Sequence, residues 1–483
     1  MVGDFVGSST GADEKSGQLR SGAVHARHLV FFVVAAAAPL TVLAGFGPYA
    51  YRIGGEITPS GYLLAGVVYA LFAVGFTAMS RHVRNAGAFY AYISQGLGPS
   101  IGAGAALTAY VAYTLGEIGF GAAAGLFAST TISDFTGIQI PWGVSAVVIG
   151  VLVSIVAYRR VEAGARLLAV LLIGEISILL VLTAAIFLKG PPDGYSFSGF
   201  SPANWSWSTL GPLFIITFVV YLGFEQTAVY SEEVSDPART VPRATYIAVA
   251  LLAVIYTFVS WVILMGIGPS KLADALANDP DALVFRINTE YAGAFMTHVM
   301  EVLIVTSFIA GVLALHNAGA RYLFSLGRDG LLPSRLATTG SETASPSVAV
   351  IVQSVIVVGA LVAFSRTDLD PYVEIVNWTN TPTLVGIMFL QILTSLAVIT
   401  FFAKDHRGEN LWRRLIAPVL SSAALIGVFW LICAKMDLLT SLGATGNVLI
   451  NLPLVIAFIG GVLRARWLRE SNPAAWKGIG HSE

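Results

Sequence analysis

Apolar residues run for stretches of roughly 20 positions, the length of helix that crosses bilayer hydrocarbon, with polar clusters between them. The stretches fall at 29–50, 60–80, 101–127, 141–158, 164–188, 209–231, 243–266, 297–324, 346–364, 372–402, 415–434 and 448–466. They predict an all-α integral membrane protein of twelve transmembrane helices. Runs 101–127 and 372–402 exceed one bilayer width, which predicts tilt or an extramembrane turn.

Two of these spans contain residues that a continuous helix resists. Span 1 carries Pro39, Gly45, Gly47 and Pro48. Proline removes a backbone donor and glycine weakens helix preference, so the helix is expected to unwind around Thr41–Gly45. Span 6 carries Gly223-Phe224-Glu225 near its middle. A glycine beside an ionisable residue at that depth predicts a break at Val220–Gly223 that lines a cavity. The two spans lie five apart and so cross in opposite directions. Interrupted helices at matching positions of two antiparallel halves point to an inverted-repeat transporter. Residues 28–190 and 205–403 would be the repeats, a 5+5 arrangement with broken helices 1 and 6. Two appended helices fill 404–468. Residues 1–27 read as a disordered cytosolic tail and 469–483 as a second cytosolic tail.

Composition agrees with a membrane class. Only 11% of residues are charged and mean hydropathy is +0.76, too little polarity to clothe a soluble domain. A net charge of −1 gives no reason to expect nucleic acid as a partner. Cys433 is the single cysteine, which excludes an intramolecular disulfide. No Walker A, H-E-x-x-H or G-x-S-x-G pattern occurs, so neither an enzyme nor a cofactor or metal site is expected. Of the 27 Lys and Arg, only Arg52, Lys189, Lys271, Arg286, Arg366 and Lys435 fall on one side of the predicted topology. The rest gather on the other side, which the positive-inside rule makes cytosolic, with both termini there. The connection after span 7, with Lys271, Asp274, Asp279, Asp281 and Glu290, is expected to be an external, partly helical loop.

Four ionisable residues lie deep within spans: Glu117, Glu175, Glu225 and His316. No base is expected at comparable depth, since Arg321 lies near a span end. A charged side chain at mid-depth costs at least ~2.5–3.5 kcal/mol on insertion scales. Each acid must therefore be protonated, bonded to backbone donors or opposed by a bound cation. His316 is expected to bond locally.

Three segments together resemble the amino acid–polyamine–organocation superfamily of permeases. The first is Gly223-Phe224-Glu225 through Glu232-Glu233, Asp236-Pro237, Arg239 and Pro242-Arg243. The second is Asn85-Ala86-Gly87-Ala88-Phe89-Tyr90-Ala91-Tyr92 with Gly96 and Gly98. The third is His316-Asn317-Ala318-Gly319-Ala320-Arg321 through Gly327-Arg328-Asp329-Gly330 to Pro333. The resemblance implies a LeuT-like fold, alternating access and substrate held by unwound backbone in spans 1 and 6. Several sodium-independent relatives carry a lysine in span 5 where sodium-coupled members bind the ion. The matching position here is Glu175, a departure from both.

On this reading, N–H groups around Thr41, Val42, Leu43, Ala44 and Gly45 suit a substrate carboxylate, because a half-helix N-terminus carries partial positive charge. Carbonyls around Val220–Gly223 suit an ammonium. Phe218 and Tyr221 are candidate gate or pocket aromatics, and Glu117 a candidate contact for a second substrate amine or a structural bond. Glu175 and Glu225 are the candidates for proton coupling and gating. Glu232 and Glu233 are expected to meet Arg81, Arg84 or Arg328 at the inner mouth, or to lie solvated. The expected function is amino acid uptake with protons through a bacterial inner membrane. The alternatives are a polyamine or organic amine permease, and a sodium-coupled transporter using Glu175.

Overall fold

The computed structural model describes residues 29–481, apart from 31–32, 35–36, 84, 86, 160, 232–233, 278–281, 341–345 and the side chains of 161–169. The expected tail at 1–27, the pair Glu232-Glu233 and Arg84 lie outside the described residues. The described chain is helical. It comprises α1 (Gly47–Gly54), α2 (Thr58–Ser80), α3 (Phe89–Leu97), α4 (Pro99–Thr136), α5 (Trp142–Arg159), α6 (Val161–Lys189) and α7 (Trp207–Val219). There follow α8 (Pro237–Ile267), α9 (Ala294–Arg328), α10 (Ser347–Phe364), α11 (Asn377–Lys404), α12 (Ala417–Lys435), α13 (Gly443–Ser471) and α14 (Pro473–Gly478).

Among the described residues, ten helical stretches are long and apolar enough to cross a membrane, and Trp207–Val219 is a shorter apolar helix. One of the ten, Thr41–Ser80, divides into α1 and α2 at Gly55, whose φ of 55° ends the first helix. The connection after α8 contains the short helices Leu272–Ala277 and Leu283–Ala292, the partly helical loop expected there.

The long helix α4 packs against α5, α9, α11 and α13 and forms the middle of the bundle. Lipid tails are as apolar as leucine, so such contacts depend on close approach and van der Waals packing. The sequence of α4 supplies this with small residues such as Gly102, Ala103, Gly104, Ala105 and Ala106, all buried. Where α13 crosses, a Cβ on Gly461 would stand 2.4 Å from the Ala103 carbonyl oxygen, so only glycine fits.

Both interruptions lie between packed helices. In span 6 the chain leaves α7 at Val219, turns through Val220–Glu225 and resumes as the single turn Gln226–Val229. Gly223 has φ 113°, a conformation that side chains with a Cβ rarely adopt. This break falls where the sequence places it. In span 1 it does not. Thr41–Phe46 remains helical, as a widened π-type turn, and the irregular residue is Ala38 with φ 45°. Pro39 accounts for the shift: it has no N–H to extend the preceding helix, and its ring disfavours helical geometry at the residue before it. Gly45 and Gly47 lie within helical chain instead. A Cβ on Gly45 would stand 3.7 Å from the Phe308 ring.

Candidate substrate site at the two helix breaks

Each break frees backbone groups, and each is met by a buried carboxylate. At the span 6 break, Glu225 Oε2 accepts the Gly223 N–H at 3.0 Å and Oε1 accepts the Tyr113 hydroxyl at 2.6 Å. At the span 1 break, Glu175 Oε2 accepts the Leu40 N–H at 3.3 Å. Leu40 begins the helix that restarts at Pro39, so its N–H has lost its usual partner one turn back. Both acids are fully shielded from solvent. Glu175 thus faces the positive end of the restarted span 1 helix, where a negative or strongly accepting group is favoured.

A single side chain joins the two breaks. Tyr256, from the middle of α8, directs its hydroxyl at the Ala37 carbonyl (2.9 Å) and the Val220 carbonyl (3.2 Å). A phenol has one hydrogen and donates to one of these at a time, which leaves a lone pair available on the other. Tyr221 sits edge-on to the Tyr256 ring and donates to the Tyr62 carbonyl at 2.8 Å. Among the described residues, the Tyr62 hydroxyl and the Gln226 side-chain amide are buried without a protein partner. The Tyr62 ring lies 5.9 Å from that of Tyr256, and Gln226 opens the helical turn after the break.

The remaining sequence-predicted residues divide clearly. Thr41 bonds Ser307 Oγ at 2.9 Å, and Val42, Leu43, Ala44 and Gly45 are buried in the π-type turn rather than in unwound chain. Phe218 packs on Tyr69 and Phe214 at 5.4 Å each and lines an apolar groove with Leu64, Trp205 and Leu210. Its ring therefore faces the α2–α7 surface, while its carbonyl accepts the Tyr69 hydroxyl. Glu117 is taken up by a separate network: Oε1 lies 2.6 Å from His316 Nδ1, and Oε2 accepts the Gln353 amide at 2.7 Å. This network ties α4 to α9 and α10, and the partner of His316 lies across the bundle rather than on its own helix. Arg321, in the last two turns of α9, is buried, with its guanidinium 4.2 Å from the Tyr230 ring centre. Arg81, a candidate latch partner, is paired with Glu409 at 3.2 Å.

Sequence reasoning missed Tyr256, Ser307 and Tyr113. Their signal is faint: a hydroxyl within an apolar run, which becomes informative only when its partner across the bundle is known.

Comparison with known proteins identifies the family. The amino acid permease family matches residues 28–468, nearly the whole described chain. The chain belongs to this family. It is a membrane transporter family, within the superfamily that the motifs resemble. Individual relatives are distant. The branched-chain amino acid permease BcaP of Lactococcus lactis is 24% identical over 411 residues, covering 80% of this chain and 84% of the relative. The low-affinity putrescine importer PlaP of Escherichia coli is 21% identical over 413 residues, covering 81% and 84%. A methylthioribose transporter of Bacillus subtilis is 24% identical over 299 residues, covering 59% and 62%. Family membership thus spans amino acid, amine and thiosugar carriers.

Proposed function

We propose that this permease takes up an amino acid together with protons by alternating access, with the substrate held between the breaks in spans 1 and 6. The observation that carries the reading is the Tyr256 hydroxyl, which brings carbonyls from both breaks to one point. An ammonium offers several hydrogens and answers both carbonyls where the phenol answers one. The substrate carboxylate would occupy the N-terminal end of the restarted span 1 helix, at the Thr41 end of the Thr41–Gly45 stretch. The Tyr62 hydroxyl and Gln226 amide are buried polar groups in reserve for the same ligand.

The twelve-span, 5+5 arrangement belongs to this proposal. It is supported by the ten long apolar stretches, the division of one of them at Gly55 and the shorter broken helix Trp207–Val219. The basic connections support cytosolic termini, and a bacterial inner membrane is part of the same proposal. Glu175 is the proposed proton carrier, because it accepts the N–H that opens the restarted span 1 helix and so feels any movement there. Glu225 would gate, through its bond to the Gly223 N–H.

A diamine is the less favoured substrate on one specific ground. Glu117, the carboxylate that a second amine would need, is held by His316 and Gln353. The test is counterflow in proteoliposomes preloaded with each of the standard amino acids or with putrescine. At least one amino acid is expected to exchange and putrescine not to; exchange of putrescine alone would overturn the reading.

Tyr256→Phe keeps the ring and removes the bridge. Leaving a buried carbonyl without its donor costs the empty site about 1–3 kcal/mol, and the ammonium answers the same carbonyls, so KM in the same assay should fall about tenfold. An unchanged KM would remove Tyr256 from the site.

A further inference from the structure

The C-terminal segment after α13 is bonded on both sides of a seam at the basic face. On one side lies α3. Ser94 Oγ donates to the Ile479 carbonyl at 2.7 Å and Gln95 Nε2 to the Gly480 carbonyl at 3.4 Å. On the other side lies the end of α9, where Asp329 Oδ2 accepts the Gly480 N–H at 2.8 Å. The same carboxylate oxygen accepts the Tyr90 hydroxyl from α3 at 3.1 Å, so Asp329 is itself part of the seam. Ile479 is fully buried. Gly480 has φ 72°, and a Cβ there would stand 2.7 Å from Ser94 Cβ. The segment is seated in a site that fits it residue by residue.

That site is connected to the span 6 break. The Tyr90 ring lies 6.3 Å from Tyr322, which stacks on Tyr113 at 5.4 Å. Tyr113 donates to Glu225, and Glu225 accepts from Gly223. A relay of side chains thus runs from the last residues of the chain to the broken helix. Meanwhile α3 is fastened to α11: Thr400 Oγ1 donates to the Gly96 carbonyl, and a Cβ on Gly96 would meet the Ala397 carbonyl oxygen at 2.4 Å. Any parting of α9 from the α3–α11 pair must break the bonds to the tail.

We propose that residues 473–480 act as a clasp across the inner mouth, holding the closed conformation until Ile479 and Gly480 leave their seat. The role rests on the alternating-access reading, and the experiment separates the two. A reporter, Ser325→Cys, is placed on α9 one turn before Asp329, at a fully buried position. The native thiol is removed by Cys433→Ser. The full-length protein in detergent is then labelled with a charged maleimide, alone and with each amino acid added. Two clasp variants are compared with it: Ile479→Asp, which puts a charge in an apolar seat, and Gly480→Ala. Ser94→Ala, which removes one donor without forcing the backbone, serves should either variant not fold. Limited proteolysis of the C-terminal segment reports its release.

Loss of two or more buried hydrogen bonds predicts a labelling rate about tenfold higher in Ile479→Asp and Gly480→Ala, with a smaller rise in Ser94→Ala. A rate unchanged from the parent once proteolysis shows the segment released would overturn the clasp. Amino acid addition should change the rate in the parent. If it does so while the variants label like the parent, the clasp fails and the substrate reading stands. If the variants label faster but no amino acid alters any rate, the substrate reading fails and the clasp stands.

Discussion

Gly223→Ala is expected to slow transport by about tenfold or more while leaving the protein folded in the membrane. Gly223 occupies φ 113°, outside the range that residues with a Cβ adopt readily. Forcing alanine into a left-handed conformation costs roughly 1–2 kcal/mol, and the chain can relieve that cost by rotating the peptide. Rotation would withdraw the Gly223 N–H from Glu225 Oε2 and turn the neighbouring carbonyls away from the point that Tyr256 marks. The initial exchange rate should therefore fall by about tenfold or more, since both strain and the lost hydrogen bond act on the same turn. Gly359→Ala is the matched control. That glycine lies within α10, and a Cβ there meets nothing within 4 Å. It should transport as the parent does. Equal activity in the two variants would show that the break is not the transport site.

The two breaks also show how far the sequence can be read. The span 6 break is legible because one residue type explains it: a glycine at positive φ beside an acid at mid-depth. The span 1 break is displaced because two signals compete there. Gly45 and Gly47 weaken helix preference by a modest amount, whereas Pro39 removes a donor outright, and the stronger effect places the irregular residue at Ala38. The buried acids are legible as a group, since each needs a partner, but the partners are not. Tyr113, Tyr256 and His316 reach their contacts from helices distant in sequence, and no local pattern encodes those meetings. Arg321 is legible as a residue near a span end, but its contact is not: the guanidinium stacks over Tyr230 inside the bundle. The segment 469–483 reads as a cytosolic tail because it is too short to pack on itself; only the seat formed by α3 and α9 gives Ile479 a role.

The coupling role of Glu175 has the second large expected effect. Its carboxylate is shielded from solvent and bonded to the N–H that opens the restarted span 1 helix. Gln keeps an oxygen that can accept from Leu40, so Glu175→Gln preserves the local geometry and removes only the group that takes up and releases a proton. Binding and exchange of substrate should persist, since neither requires net proton movement. Concentrative uptake should be lost.

The most direct test is therefore one measurement on two proteins in proteoliposomes: accumulation of the exchanged amino acid under an inward proton gradient, with an inward sodium gradient as the comparison. The parent is predicted to concentrate substrate with the proton gradient and not with sodium, while Glu175→Gln exchanges substrate but concentrates none. Accumulation driven by sodium, or proton-driven accumulation by Glu175→Gln equal to that of the parent, would contradict the account.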